Sequence, residues 1–118
     1  MEFDRFTVVL LLLGPNPPEL NEEEANALQD AHLAHLASLH EAGHLLAAGP
    51  LLGGADGTFR GVSIFRTDPE TTRTLCESDP AVRAGRFVVE ILPWMVPGGA
   101  ISFSPTRFPR SIADASGE

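Results

Sequence analysis

Lysine is absent from this chain of 118 residues, so its eight cationic side chains are all arginines, set against sixteen acids for a net charge of −8. That shortage of positive charge excludes the broad basic surface that nucleic acid or an anionic membrane requires. Cysteine occurs once, as Cys76, which rules out an internal disulfide and removes any need for an oxidising compartment. A small buried residue is expected there. No basic or thiol-activating neighbour flanks it, which argues against a nucleophile. Long apolar runs are missing too: Val8 to Leu13 is too short to cross a bilayer, and no charged segment of the secretory type precedes it. Leu13-Gly14-Pro15 lacks the glycine spacing of a phosphate loop or a dinucleotide fingerprint. The expectation is a soluble, cytoplasmic chain with no nucleic-acid or membrane partner and no cofactor.

What is present fits one folded unit. A hydrophobic fraction of 43% with 20% charged residues matches an ordinary globular protein, and this length buries enough surface for a core without metal or disulfide staples. The charge is unevenly placed, with nine acids and one arginine up to Gly57 and seven of each from Thr58 onward. Phe6 to Leu13 reads as a first, central strand, closed by Gly14, Pro15, Pro17 and Pro18. Asn21 with Glu22, Glu23 and Glu24 spells a capped, dipole-favoured helix start, and Gly43 a left-handed stop after about Ala42. His44 to Leu52, ending at Gly53 and Gly54, and Thr58 to Arg66, after the Asp56-Gly57 turn, read as an antiparallel hairpin. Asp68-Pro69 opens a second helix through Cys76, and Asp79-Pro80 repeats the same grammar. Phe87 to Leu92 is the fourth strand, stopped by Pro93, with Ile101 to Phe103 as a short edge piece. Residues 1–103 then form the domain and 104–118 a tail without a core of its own.

The order β-α-β-β-α-β is that of the ferredoxin-like plait, an α+β fold with both helices on one face of an antiparallel sheet. Its other face, fed by Val8, Leu10, Leu12, Val62, Ile64 and Val88, needs a cover, and a homodimer packing sheet on sheet supplies one. On the helix, Ala25, Leu28, His32, Leu36 and Leu39 share a stripe, which puts an imidazole at a core position. Histidine titrates near physiological pH, so His32 is a candidate acid/base, against the plain alternative of a core histidine satisfied by a carbonyl. Asp79 likewise reads either as a carboxylate partner for it or as a helix cap, and its two oxygens allow both. His32, His35, His40 and His44 crowd together, and His32 and His35, about 60° apart on the helix, could share an ion. His40, however, lies about 80° to the other side of His32 and His44 follows the helix-ending Gly43, so the set matches no metal-ligand grammar. Surface histidines are the expectation, with no metal site. Gly49, Pro50, Gly53 and Gly54 serve either a turn or a ligand approached by bare backbone. Trp94 and Met95 suit a dimer seam or a pocket mouth.

Three segments together resemble the YCII-related (YciI-like) family over roughly residues 5 to 103. They are Ala31-His32-Leu33-Ala34-His35-Leu36, Glu41 to Pro50, and Glu77-Ser78-Asp79-Pro80 to Gly85. The resemblance implies a dimeric α/β barrel of ferredoxin-like protomers with a site built on a histidine and an aspartate. These fall on His32 and Asp79, with Gly49-Pro50 as the family's Gly-Pro. Gln29 stands where many members carry arginine, so the substrate class is not inherited. Two readings stay open. In one, a small enzyme of lyase or isomerase type uses His32 and Asp79 for proton transfer on a small polar molecule held by Gly49, Pro50, Gln29 and His35. In the other, a non-catalytic dimeric module binds a small molecule or a partner.

Overall fold

The computed structural model describes residues 1–53 and 56–117, so Gly54, Ala55 and Glu118 lie outside the described residues. Four strands, β1 (Phe3–Leu13), β2 (Leu45–Pro50), β3 (Phe59–Phe65) and β4 (Phe87–Pro97), form one sheet in the order β2-β3-β1-β4. Every adjacent pair is antiparallel. With the helices α1 (Glu22–Glu41), α2 (Pro69–Glu77), α3 (Pro80–Arg83) and α4 (Ile112–Ser116), this is the α+β, ferredoxin-like arrangement.

Local chemistry accounts for the helix ends. The Asn21 side chain accepts from the Glu24 N–H while the Glu24 carboxylate accepts from the Asn21 N–H, a reciprocal cap. After α1 the chain turns at Gly43, whose φ of 85° is open to glycine at no steric cost. Asp68 caps α2 through the Thr71 N–H, with Pro69 in the first turn.

The strands alternate as a one-sided core requires. Val9 and Phe65 point at the helices and are buried with Leu39, Leu45 and Cys76. Val8, Leu10, Ile64 and Val62 occupy the opposite phase, together with Val88, Leu92 and Trp94, each about 40% exposed at 40%, 40% and 38%. That face of the sheet is largely apolar, with Glu90 opposite Leu10. Among the described residues no helix packs over Val88 and Leu92, while Phe103 rests on Phe6 at its other end.

Two strands run longer than their sequence suggests. β1 starts at Phe3 rather than Phe6, and β4 passes through Pro93 to Pro97 instead of ending at Leu92. Both extensions are made by β1 pairing with β4, Phe3 opposite Pro97 and Thr7 opposite Pro93. β4 is an edge strand, where a residue without an N–H costs the ladder nothing on its outer side. Ile101 to Phe103 is not a strand; Phe103 instead packs edge-on against Phe6, 5.3 Å between ring centres.

Candidate functional site

His32 lies on the sheet-facing side of α1 and is 7% exposed; Asp79, between α2 and α3, is 4% exposed. The local sequence explains how a carboxylate comes to be there. Pro80 cannot continue α2, the chain restarts as α3, and Asp79 becomes its cap, with Oδ1 accepting the Ala81 N–H at 2.9 Å. The other oxygen, Oδ2, is 2.6 Å from His32 Nδ1. A carboxylate only accepts, so Nδ1 carries the proton and donates. In the neutral imidazole Nε2 then keeps its lone pair, and it has no protein partner among the described residues. No enclosed polar side-chain atom there goes unpaired, so Nε2 is the atom the ring presents to open space. The face of the ring packs against Phe87, 5.5 Å between centres.

That space is a cavity of about 580 Å³ between α1, the sheet and the C-terminal segment. Its size suits a single-ring molecule. The six residues singled out in the sequence, His32, Asp79, Gln29, His35, Gly49 and Pro50, all line it. His35 is not wholly free, because its Nε2–H donates to the Leu75 carbonyl at 3.0 Å. His40 and His44 do not line it, and among the described residues no three acidic, histidine or cysteine side chains gather as a metal-binding group. Cys76 does line it, yet burial and the charge of Asp79 push its thiol up to about 12, away from thiolate chemistry. Trp94 packs against Phe6 on the uncovered face of the sheet and is absent from the cavity wall, as is Met95.

Several wall residues escaped the sequence reading. Val82, Phe87, Ser63 and Arg60 are among them, and so is one whole side made of Phe108, Pro109, Ile112, Ala115 and Ser116. The last group belongs to the C-terminal segment, which docks on α1. The Ile112 N–H donates to Asp30, Arg110 pairs with Glu41, and the Thr106 N–H donates to His40 Nε2. One signal for it was readable: Ser111-Ile112-Ala113-Asp114 has the spacing of a helix cap, and Ser111 Oγ accepts the Asp114 N–H.

These features define a class, a ferredoxin-like α+β fold with a buried His–Asp pair beside a largely apolar cavity. Within that class the YCII-related domain model matches residues 7–95, and the chain belongs to that family. A solved structure, 5-chloro-2-hydroxyhydroquinone dehydrochlorinase (TftG) from Burkholderia phenoliruptrix AC1100 in complex with 2,5-dihydroxybenzoquinone, is 26% identical to this chain. The likeness covers 74% of this chain and 92% of that one, with a TM-score of 0.50. Comparison with curated proteins gave no match. No helix among the described residues is long and apolar enough to cross a membrane.

Proposed function

We propose that this protein is a cytoplasmic enzyme of lyase or isomerase type in which His32 moves a proton on a small hydroxylated ring compound. The observation that carries the reading is the buried 2.6 Å contact of His32 Nδ1 with Asp79, which turns Nε2, the base of the neutral imidazole, toward the cavity. Nε2 takes a proton from the substrate, and the Asp79 carboxylate stabilises the imidazolium that results. The electron pair released either expels a leaving group from the neighbouring carbon or shifts within the ring, and in the second case His32 returns the proton at a new position. Gln29 and His35 supply polar contacts, and the bare backbone around Gly49 and Pro50 admits the ring closely. The chemistry of the dehydrochlorinase to which the chain is similar supports this class. The apolar sheet face supports a homodimer closed sheet on sheet, with Trp94 in the seam.

The test is turnover and proton exchange with purified protein. Chlorinated and unchlorinated hydroxyhydroquinones are supplied, chloride release is followed, and hydrogen exchange from deuterated solvent into the ring is read by NMR. A His32-dependent reaction, falling about 10²–10⁴-fold in His32→Gln, is expected of a positioned acid/base. Binding without exchange or turnover assigns the site to a non-catalytic binding module instead.

A further inference from the structure

Among the described residues Arg60 is the only permanently cationic side chain in the cavity wall, and its placement comes from an irregularity in the sheet. Along the β1–β3 ladder Leu11 pairs with Gly61 but Leu12 pairs with Phe59, so Arg60 is an extra residue without a partner on β1. A bulge of this kind re-aims the side chain of the inserted residue. The backbone holds the bulge from both sides: Leu13 N–H donates to the Thr58 carbonyl and Leu51 N–H to the Arg60 carbonyl, at 2.8 and 3.0 Å. The strands meet closely beside it, since a Cβ on Gly61 would stand 3.2 Å from the Gly49 carbonyl oxygen. Arg60 therefore belongs to the same end of the cavity as Gly49 and Pro50.

The guanidinium is anchored at one edge only. Its Nε donates to the Gly57 carbonyl at 2.6 Å, and no carboxylate among the described residues lies within ion-pair distance of it. Among the described residues its two terminal nitrogens have no protein acceptor, and the half-buried side chain stands at a largely apolar wall. A cation so placed lacks a counter-charge in a region of low dielectric, where one is worth most. Asp79 does not provide it, because one oxygen is given to His32 and the other to the Ala81 N–H. The remaining ionisable wall residues, His35 and Cys76, cannot provide it either.

Resting on the reading of the cavity as the substrate site, we propose that Arg60 makes it selective for anionic rings, a single aromatic or quinoid ring bearing a carboxylate or ionised hydroxyl that docks on the Arg60 fork. The planar guanidinium suits a two-oxygen anion, and the apolar walls suit the ring. Arg60 then holds a standing charge at the Gly49-Pro50 end, separate from the proton handled by His32.

Benzoate and neutral benzamide, titrated into the protein and followed by calorimetry and by the His32 ring resonances in NMR, test the proposal. Benzoate is expected to bind the wild type about tenfold or more tightly than benzamide. Arg60→Gln is expected to abolish that preference, Arg60→Lys to restore part of it, and His32→Gln to keep it. Thermal unfolding of each variant verifies that it is folded. If Arg60→Gln binds both compounds as the wild type does while both still move the His32 resonances, the anion inference is overturned and the ring site stands. If neither compound binds or perturbs His32, the anion inference and the reading of the cavity fall together. Equal wild-type affinity for the two compounds also overturns the role of Arg60.

Discussion

Phe108 lies flat on His40, with ring centres 4.0 Å apart and planes 12° from parallel. The stack ties the C-terminal segment to the end of α1, and the polar edge of His40 fixes it further. Nδ1–H donates to the Leu45 carbonyl at 2.7 Å, and Nε2 accepts the Thr106 N–H at 3.1 Å. Both bonds call for the same neutral tautomer, so one histidine clasps β2 and the C-terminal segment together.

Phe108→Ala is expected to loosen that segment without unfolding the sheet. The loss should be about 1–2 kcal/mol, roughly half that of a fully buried phenylalanine. Hydrogen exchange is the readout: protection of the Ile112 N–H, which bonds Asp30, should fall while the amides of β1 and β3 keep theirs. Unchanged Ile112 exchange would show that the stack does not hold the segment against the cavity.

Asp79→Asn separates the two tasks of that side chain. An asparagine oxygen can still accept the Ala81 N–H, so the cap and the fold should survive. Its amide can present only N–H groups to His32 Nδ1, which turns the imidazole around: Nδ1 becomes the acceptor and Nε2 carries the proton. Long-range nitrogen–proton correlation spectra should therefore show His32 switching tautomer, with loss of the base at Nε2 and of turnover. A folded Asp79→Asn variant with full turnover would remove Asp79 from the reaction.

His32→Leu would be harmless if His32 only filled the core. The pairing with Asp79 reverses that expectation, because leucine leaves a carboxylate oxygen facing an apolar wall. A loss of about 3 kcal/mol is expected for stranding one member of a buried pair. The double change His32→Leu with Asp79→Asn should recover part of it, which denaturant unfolding of the four proteins measures directly.

Much of this architecture follows from short stretches of sequence whose physics is local. Asn21 with Glu24 and the glycine at 43 mark the ends of α1 because caps act over three or four residues, and Asp79-Pro80 marks a cap for the same reason. His32 stands out because an imidazole in a leucine stripe is unusual. Features that depend on partners distant in the chain were not legible. The passage of β4 through Pro93 requires knowing that β4 is an edge, and the aim of Arg60 requires the register of β1 against β3. The wall formed by Phe108 and Ile112 could be read as a capped turn, but its docking on His40 and Asp30 is set by tertiary packing alone.

The thiol of Cys76 should be inert although it lines the cavity. With its ionisation pushed up to about 12 by burial and by Asp79, only about one thiol in ten thousand is ionised at pH 8, and the thiolate is the reactive form. Ellman's reagent should react slowly with the native protein and at the ordinary rate in denaturant. Fast native labelling would show that Cys76 is solvated and ionised more readily than its surroundings imply.

Acid should release the C-terminal segment before it unfolds the sheet. Hydrogen bonds from the Arg110 N–H and the Arg107 guanidinium hold the Asp114 carboxyl below its ordinary 3.8. A carboxyl whose folded value lies below its unfolded one contributes its full stabilisation above the unfolded value and loses it as pH falls through the folded one. Docking that depends on Asp114 is therefore intact above about pH 4 and weakens below it. Asp68, the cap of α2, is lowered in the same direction by the Thr71 N–H, so α2 should fray in the same window. Ile112 and Thr71 amide exchange, measured against pH, should rise together there. In Asp114→Asn the Ile112 step should vanish and the Thr71 step remain; an Ile112 step that persists in this variant would assign the release to another acid.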